Sequence, residues 1–295
     1  MNILITGGSG FIGSHLIKYL RDKGYNVLNV DIASQLSSEK IDIREYNALK
    51  KIFEYTKPNV VVHLAAIASV PQCEYETDLC FSTNVIGTLN IAKLSKNFNA
   101  KLVFASSAAV YGKPEILPIP VAHPLRPNNF YGLTKLLGEF LVRYYLPDNH
   151  VIFRIFNVYG ENCKRSYVIP DTIKKIMKKM NPVPMKGTGE EERDFVYVKD
   201  ACEAFYTAIN TNVVGTFNLG TGRKVKIKEL ARMIAELMGF EDIKFMFEGK
   251  KRIGDMDVLH ADISNGNSLP GWSPKTGLEE GLKKTIEWYM KNLSD

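Results

Sequence analysis

The first strand-like run of the chain leads directly into a glycine-rich turn. The segment "NILIT" at 2–6 is followed by "GGSGFIGSHL" at 7–16, in which Gly8, Gly10 and Gly13 fit the pattern G-x-G-x-x-G. An apolar strand before the turn and an amphipathic helix after it form the context in which this pattern binds a dinucleotide. Glycines allow the backbone to approach a pyrophosphate, which then lies at a positive helix N-terminus. The sequence therefore predicts the first strand and helix of a dinucleotide-binding sheet.

A carboxylate closes the second strand-like run. Asp31 lies eighteen residues beyond Gly13, where a carboxylate can bind the adenosine ribose hydroxyls of a dinucleotide. The same charge repels a 2′-phosphate, and no Arg or Lys occurs in 32–39 to receive one. A glycine-rich turn without a ligand is the alternative. Because the strand, the helix and the acid are all in place, we predict a dinucleotide site that takes NAD rather than NADP.

Apolar runs and helical patterns alternate through the first half of the chain. The runs are apolar almost throughout, as expected of strands buried on both faces of a parallel sheet. The runs cover 2–6, 26–30, 60–64, 101–105 and 150–155, and the helical patterns cover 11–23, 45–56, 76–98 and 129–146. This alternation predicts an α/β fold with a doubly wound parallel sheet of the Rossmann type.

The pattern changes in the second half of the chain. A loop-like stretch, a short strand with its turn, and two amphipathic helices are indicated at 181–191, 216–222, 226–238 and 277–292. We therefore expect an NAD-binding Rossmann domain over 1–160 and a smaller, mainly substrate-binding lobe over 161–295. Some segments of the second half are expected to return to the Rossmann sheet.

Composition and charge argue against several other classes of protein. The net charge is +6, from 38 basic and 32 acidic residues, and lysine pairs such as Lys174–Lys175 are typical of a solvated helix face rather than of nucleic-acid binding. No window approaches the roughly 20 apolar residues of a membrane span, and the first residues do not resemble a signal peptide. The four cysteines include no CxxC pattern, so we expect no disulfide framework, no metal site and a cytoplasmic location.

Residues 131–135 read "YGLTK", with a tyrosine and a lysine one helical turn apart. Positions i and i+4 lie on one face of a helix, so the phenol and the ammonium can meet. A free tyrosine titrates at about pH 10, and a phenolate base at neutral pH therefore needs a positive charge close by. The pattern alone leaves two interpretations open, a catalytic pair and an exposed surface pair.

Ten short motifs follow one another along the chain. They are "TGGSGFIGSHL" (6–16), "DI" (42–43), "VVHLAA" (61–66), "NVIGT" (84–88), "SSAAVYG" (106–112), "YGLTK" (131–135), "RIFNVYG" (154–160), "RDFVYVKD" (193–200), "NLGTG" (218–222) and "RIGD" (252–255). Together they resemble the extended short-chain dehydrogenase/reductase family, especially its nucleotide-sugar epimerase/dehydratase group with the UDP-glucose 4-epimerases. The likeness covers nearly the whole chain, and ten motifs in the family's order are very specific.

The resemblance implies a catalytic role for three residues. Tyr131 would remove the proton of the sugar 4-hydroxyl, and Ser107 would bond the same sugar oxygen. Lys135 would stabilise the phenolate and hold the nicotinamide ribose. In this setting the catalytic interpretation of the tyrosine-lysine pair becomes the better one.

The resemblance also implies which residues contact the bound molecules. The expected cofactor contacts are Gly7, Gly10, Phe11, Ile12, Gly13, Asp31, Asp42, Ile43, Leu64, Ala65, Ala66, Tyr131, Lys135 and Phe156, with Asp42 and Ile43 at the adenine. The expected substrate contacts are Ser107, Asn157, Arg193, Arg252 and Leu259. Asn157 and the two arginines would clamp a diphosphate, whose charge suits guanidinium groups. A surface ion pair of Arg193 with Asp194, and a turn cap by Asn157, are the alternatives.

Leu259 bears on the choice of sugar. It lies where family members restricted to unacetylated sugars carry a tyrosine, whose ring narrows the space beside the C2 substituent. A leucine lacks that ring, so the resemblance implies that N-acetylated sugars are tolerated. His63 and Asn84 are interpreted as structural residues.

These residues imply a UDP-sugar 4-epimerase acting on UDP-glucose and UDP-galactose, with tightly bound NAD that takes a hydride from C4 and returns it to the opposite face. Ala108 and Ala109 stand where the family's 4,6-dehydratases carry Asp-Glu, and methyl groups cannot transfer protons, so a dehydratase is not expected. A nucleotide-sugar 4-ketoreductase remains open as the alternative. A dinucleotide-sensing regulator would not need all three of Ser107, Tyr131 and Lys135.

The family likeness further implies a homodimer through 76–98 and 129–146.

Overall fold

The computed structural model describes residues 1–33, 39–163, 167–250 and 256–292. Its strands are β1 (Asn2–Thr6), β2 (Asn26–Asp31), β3 (Glu39–Lys40), β4 (Val60–His63), β5 (Lys101–Ser107), β6 (His150–Ile155), β7 (Asn157–Tyr159), β8 (Val183–Met185), β9 (Glu192–Tyr197), β10 (Gly215–Leu219), β11 (Lys224–Lys226), β12 (Phe245–Phe247) and β13 (Val258–Leu259). Its α-helices are α1 (Phe11–Asp22), α2 (Tyr46–Thr56), α3 (Val70–Tyr75), α4 (Thr77–Phe81), α5 (Gly87–Asn97), α6 (Phe130–Tyr145), α7 (Val168–Met177), α8 (Val198–Asn210), α9 (Ile227–Leu237) and α10 (Leu278–Asn292). A π-helical turn (Ser82–Ile86) joins α4 to α5, and a 3-10 turn (Ala108–Tyr111) follows β5.

Seven parallel strands form the main sheet, in the order β10-β6-β5-β4-β1-β2-β3. Its strands are apolar because both faces are covered, as the fully buried Val61 and Val62 of β4 illustrate. One face packs against α1 and α8, and the other packs against α2, α5 and α6. Helices on both faces of a parallel sheet make a doubly wound α/β fold, so the predicted fold class is confirmed.

One predicted helix is divided in the structure. The helical pattern over 76–98 forms α4, the π-helical turn and α5 instead of one continuous α-helix. Asn84 lies in the wider turn and is buried, with its side chain bonded to the backbone of Ile67. A tertiary contact of this kind is invisible to helical periodicity, and π-helical turns are common beside functional sites.

The second half of the chain forms a smaller lobe and also completes the main sheet. Strands β7, β9, β11 and β13 make a four-stranded sheet, and β8 pairs with β12. Helices α7, α9 and α10 pack against these strands around a core that includes Ile173, Leu230 and Leu282. In contrast, β10 lies at the edge of the main sheet and α8 packs against it. The domain division at residue 160 stays a prediction.

Cys73 and Cys80 form a disulfide that ties α3 to α4, with their Cα atoms 5.3 Å apart. The expectation that the cysteines do not pair is therefore wrong for these two. The reason is the break between the two short helices, which turns the chain so that two buried residues seven positions apart face each other. The predicted cytoplasmic location relied partly on the absence of disulfides. It stays a prediction, and cysteine usage no longer supports it.

The helices also bear on the expectation that the chain does not enter a membrane. Among the described residues, no helix combines the length and the apolar character needed to cross a bilayer.

Candidate active site

A cavity of about 940 Å³ opens at the carboxyl edge of the main sheet. Part of its lining follows strands β1, β2, β4 and β5, which is the edge where parallel α/β sheets bind ligands. The rest of its lining comes from the smaller lobe, including residues of α7, β9 and β13. The cavity therefore extends from the glycine-rich turn, past the start of α6, to the small sheet.

The glycine-rich turn between β1 and α1 forms one end of the cavity. Gly7 has a φ of +72°, and a Cβ atom on it would lie 2.5 Å from the backbone nitrogen of Ala65. A Cβ atom on Gly13 would lie 2.5 Å from the carbonyl oxygen of Gly7. Since α1 begins at Phe11, its first backbone N–H groups point out of the helix beside this turn. A backbone cradle at a positive helix end fits the pyrophosphate of a dinucleotide.

Asp31 lines the cavity and also fastens the turn. Its carboxylate accepts hydrogen bonds from the backbone N–H of Ser9 at 2.9 Å and of Ala33 at 3.0 Å. Those two bonds connect the glycine-rich turn to the segment after β2. The carboxylate keeps lone pairs for a ribose hydroxyl, because each of its oxygens accepts more than one bond.

Replacing Asp31 by alanine should narrow the preference for NAD over NADP. The change removes the acceptor for the ribose hydroxyls, so NAD binding should weaken about fivefold, and it removes the charge that repels a 2′-phosphate. Titration of both dinucleotides by isothermal calorimetry measures the ratio. Asp31→Asn is the matched control, since it removes the charge and keeps one carbonyl acceptor for Ser9, at the cost of the acceptor for Ala33. A wild-type preference for NADP would contradict the role of this carboxylate.

Asp42 and Ile43 follow β3 and line the cavity, and their contact with the adenine stays a prediction. The carboxylate of Asp42 already has a partner, because Arg44 Nε lies 3.0 Å from Oδ1 and 2.9 Å from Oδ2. Hydrogen bonds from Arg44 hold the pKa of Asp42 below its usual range, although partial burial acts in the opposite direction. Arg44 also lines the cavity and was missed by the sequence analysis. Its position two residues after Asp42 was the available signal.

His63 ends β4 inside the core, where its two ring nitrogens lie 2.6 Å from Thr6 Oγ1 and 2.9 Å from Thr88 Oγ1. The Thr88 hydroxyl donates to the carbonyl of Asn84, so it accepts from His63 Nε2–H, and Nδ1 accepts from Thr6. Burial lowers the pKa of His63 to about 3, with a smaller effect from the charge of Lys135. His63 is therefore a neutral residue that fixes the end of β4, consistent with the structural role predicted for it.

Asn84 joins the loop after β4 to the start of α6. Its Oδ1 accepts from the N–H of Ile67 at 2.8 Å, and its Nδ2 donates to the carbonyl of Ile67 at 3.0 Å. Nδ2 also donates to Thr134 Oγ1 at 3.0 Å, and that hydroxyl donates to the carbonyl of Tyr131 at 2.8 Å. The side chain therefore holds the first turn of α6 against the cavity loop 64–67.

Tyr131 and Lys135 lie on one face of α6, and both line the cavity. The helix begins after Asn129, whose side chain caps it by accepting from the N–H of Gly132 at 2.8 Å. Lys135 is only 4% exposed, and its Nζ donates to the carbonyl of Ala105 at 2.8 Å. The same nitrogen lies 5.9 Å from the centre of the Tyr131 ring. This pair is therefore not the exposed surface pair that the pattern alone allowed.

The 3-10 turn after β5 places Ser107 next to the start of α6. Ser107 lines the cavity, and its Oγ accepts from the N–H of Ala109 at 3.2 Å. A Cβ atom on Gly132 would lie 2.6 Å from the carbonyl oxygen of Ala109. The helix can approach this turn because the residue after Tyr131 is a glycine. Ser107, Tyr131 and Lys135 are thus brought to one wall of the cavity.

Glu139 lies one turn beyond Lys135 on the same face of α6 and has no solvent exposure. Its carboxylate accepts from Ser106 Oγ at 2.6 Å and from Arg154 Nε and Nη2 at 3.0 and 2.8 Å. Burial would raise the pKa of Glu139, but the hydrogen bonds and charge of Arg154 outweigh it and lower that pKa. The pair joins α6 to β5 and β6 directly behind Ser107. It was missed by the sequence analysis, although the i, i+4 spacing from Lys135 was visible.

Three predicted substrate residues meet on the small sheet. Asn157, Arg193 and Leu259 all line the cavity, and Arg193 is paired with Leu259 between β9 and β13. Asn157 Nδ2 donates to the carbonyl of Asp194 at 3.0 Å. Of the other two predicted substrate residues, Ser107 lines the cavity as described above, and Arg252 lies outside the described residues.

Asp194 does not form the surface ion pair that was the alternative for Arg193. It has no solvent exposure, and its carboxylate accepts from the backbone N–H groups of Thr221, Gly222 and Ala261 at 2.7, 2.9 and 3.2 Å. Asp194 therefore fixes the "NLGTG" loop against β9, while the neighbouring Arg193 lines the cavity.

Residues 3–220 match the model of the NAD dependent epimerase/dehydratase family. This span includes the glycine-rich turn and the wall formed by Ser107, Tyr131 and Lys135. The chain belongs to this family. The predicted family and the predicted cofactor, NAD, are thereby confirmed, and the protein is an NAD-dependent epimerase/dehydratase-family enzyme.

Relatives of this family member differ in the reaction that they catalyse. A protein of Methanocaldococcus jannaschii, provisionally assigned as a UDP-glucose 4-epimerase, is 36% identical over 98% of this chain and 99% of its own length. UDP-glucuronic acid decarboxylase 1 of Xenopus tropicalis is 32% identical over 99% of this chain and 72% of its own length. The UDP-glucose 4-epimerase of Thermotoga maritima, solved with UDP-glucose, has a TM-score of 0.93 at 31% identity, covering 99% of this chain and 100% of that one.

The sequence did not predict most of the cavity-lining residues that the smaller lobe contributes. Tyr167, Lys186 and Glu191 are examples of lining residues that carried no prediction. Glu191 is buried and accepts from the N–H groups of Thr188 and Gly189, both at 2.9 Å, so it shapes the turn at the cavity wall. The two glycines before an acid in "GTGEE" were the available signal for this turn.

Proposed function

We propose that this enzyme is a UDP-sugar 4-epimerase for UDP-glucose and UDP-galactose that keeps its NAD bound. The observation that carries the proposal is that Ser107, Tyr131 and the buried Lys135 line the same cavity as the glycine-rich turn. The pyrophosphate cradle, Asp31 and Lys135 would hold the cofactor. When bound, NAD supplies reversible acceptance of a hydride at the sugar C4.

In this proposal the protein moves and holds one proton. Tyr131 takes the proton of the sugar 4-hydroxyl and later returns it. Lys135 stabilises the phenolate through its charge, and its own position is fixed by Ala105. Ser107 Oγ binds the same sugar oxygen and aligns it with the phenol. Asn157 and Arg193 would bind the diphosphate and leave the sugar free to turn between its two faces.

A deuterium label at C4 of UDP-glucose tests this proposal. We expect the label to remain at C4 of the UDP-galactose product, because the same cofactor molecule accepts and returns it. Mass spectrometry of the products, with excess unlabelled NAD present, makes the measurement. Transfer of the label to the free cofactor pool would contradict the proposal and indicate the 4-ketoreductase.

Replacing Leu259 by tyrosine should restrict the sugar. Leu259 is buried in the cavity wall beside Phe156 and Met256, so a larger ring there takes space from the sugar. We expect the wild type to interconvert UDP-GlcNAc and UDP-GalNAc. The tyrosine variant should lose at least about 10-fold more activity on this pair than on the unacetylated pair. Product chromatography measures both, and Leu259→Met is the control of similar volume without a ring. A wild type that is inactive on acetylated sugars would show that Leu259 does not determine which sugars are accepted.

We also propose a homodimer through 76–98, which form α4, the π-helical turn and α5, and through 129–146, which contain α6. Leu133, Phe140 and Tyr144 are exposed on the side of α6 opposite Tyr131, and Phe81 is exposed on α4. Exposed apolar side chains gathered on neighbouring helices are typical of a subunit interface.

A charge on this helix face should disrupt the dimer. Phe140 is 55% exposed and Tyr55, on α2, is 84% exposed. We expect Phe140→Glu to produce a monomer in analytical ultracentrifugation because a buried unpaired carboxylate opposes association. Tyr55→Glu, on another helix, should leave the dimer intact. A monomeric wild type would exclude this interface.

A further inference from the structure

The position of the sugar C4 also fixes the surroundings of C6. In a hexopyranose C6 is attached to C5, which is bonded to C4, so the two atoms are about 2.5 Å apart. If C4 lies against Ser107 and Tyr131, as the proposed function requires, the C6 group lies within a few ångström of the residues beside them. The segment that follows Ser107 is the 3-10 turn that begins with Ala108 and Ala109.

This part of the wall is apolar. Ala108 and Ala109 are 2% and 8% exposed, and both line the cavity. Ala108 belongs to the same packed cluster as Phe156, Met256 and Leu259, which also line the cavity. None of these five side chains has a group that donates a hydrogen bond to a carboxylate.

Among the described residues, four cations line the cavity: Arg44, Lys135, Lys186 and Arg193. Arg44 is bound to Asp42 at the far end of the cavity, Lys186 lies on the small-lobe segment before β9, and Lys135 and Arg193 are engaged as follows. Lys135 Nζ donates to the carbonyl of Ala105, and its charge is the one that the Tyr131 phenolate needs. Arg193 Nη1 donates to the carbonyl of Glu192 at 2.9 Å, and Arg193 is assigned to the diphosphate in the proposed function. A carboxylate that recruited Lys135 or Arg193 would compete with the chemistry or with the binding of the nucleotide.

We propose that the wall formed by Ala108, Ala109, Phe156, Met256 and Leu259 is a specificity element that admits neutral UDP-hexoses and excludes UDP-sugars with a C6 carboxylate. The proposal rests on the proposed function only for the position of C4. A carboxylate against this wall loses its water and gains no donor from these five side chains, which is costly. A hydroxymethyl group is uncharged, so its single hydroxyl loses less hydration than a carboxylate does, and its CH₂ packs against the methyl groups.

Exclusion at C6 matters for the outcome of the reaction. Oxidation of a uronate at C4 by the nicotinamide cofactor makes a β-keto acid. The C5–C6 bond of such an acid can break with release of CO₂, and the electron pair then enters the ketone as an enolate that takes a proton at C5. A wall that rejects the carboxylate therefore keeps this side reaction from the enzyme and separates it from its decarboxylase relatives.

Calorimetric titration of the NAD-loaded enzyme with UDP-glucose and UDP-glucuronic acid tests the wall. Both ligands share the nucleotide, so the ratio of their dissociation constants isolates C6. We expect UDP-glucuronic acid to bind at least about 10-fold more weakly. The net charge of +6 would by itself favour the extra anion, so electrostatic attraction cannot produce this result. Equal affinities, or release of CO₂ from UDP-glucuronic acid, would overturn the proposal.

Two variants locate the effect on the wall. Ala109→Ser adds one hydroxyl donor, and Ala109→Cys adds an atom at the same place that is only a weak donor. The serine variant should reduce the affinity ratio severalfold and the cysteine variant should not; equal ratios in both would contradict the role of Ala109. If UDP-glucose and UDP-galactose are not interconverted but UDP-glucuronic acid still binds more weakly, the proposed function is wrong and the specificity of the wall is supported. If the two sugars are interconverted and the ratio of dissociation constants is near one, only the proposal about the wall is wrong.

Discussion

Replacing Tyr131 by phenylalanine is expected to lower the turnover of UDP-galactose by a factor of about 100 or more. The variant keeps the ring that lies 5.9 Å from Lys135 Nζ, so packing and the bound NAD should survive. It lacks the oxygen that takes the proton of the sugar 4-hydroxyl. The measurement is the initial rate of UDP-glucose formation, together with the NAD released per protomer on denaturation.

A second tyrosine on the same helix provides the control for this variant. Tyr144 is 76% exposed and lies on the opposite side of α6, so Tyr144→Phe removes a hydroxyl without touching the cavity. We expect that control to keep its turnover. Near-normal turnover of the Tyr131 variant would remove this residue from the mechanism, whatever the cofactor content.

Replacing Gly13 by alanine is expected to weaken NAD binding about 100-fold, in the upper part of the range for forcing a methyl group into filled space. The added Cβ would lie 2.5 Å from Gly7 O and 2.6 Å from Gly8 Cα. Both contacts are backbone atoms of the cradle, so the turn must shift and its N–H groups move away from the pyrophosphate. The purified variant should therefore contain little NAD and should require added NAD for activity.

Gly277 is the matched control for this glycine. A Cβ atom on Gly277 meets nothing within 4 Å, so Gly277→Ala should retain NAD as the wild type does. Circular dichroism of both variants shows whether the fold survives. A folded Gly13→Ala protein that retains its full NAD content would contradict the placement of the pyrophosphate at this turn.

Local rules predicted most of the Rossmann half. Buried strands such as Val60–His63 are nearly all apolar, and the glycine-rich turn has no tolerance for a side chain at Gly7 or Gly13. Each of these features is encoded within a few neighbouring residues. The order of strand, turn and helix could therefore be predicted from the sequence. The same is true of the face of α6 that carries Tyr131 and Lys135.

The features that were missed depend on partners that are distant in the sequence. Asn84 widens its helix through Ile67 and Thr134, which lie 17 and 50 residues away. Glu139 on α6 is bonded to Arg154 on β6, fifteen residues away. Its burial is determined by the sheet rather than by its neighbours in the sequence. The small-lobe lining was also missed, because short strands such as Val258–Leu259 carry too few residues for a periodic pattern.

The most direct test of the central proposal is to incubate the purified protein with UDP-galactose or UDP-glucose and no added cofactor, and to analyse the products by chromatography. We predict that either sugar is converted to the same mixture of the two, and that one NAD per protomer is released on subsequent denaturation. Absence of interconversion, with consumption of a 4-keto sugar only when reduced cofactor is added, would contradict the epimerase.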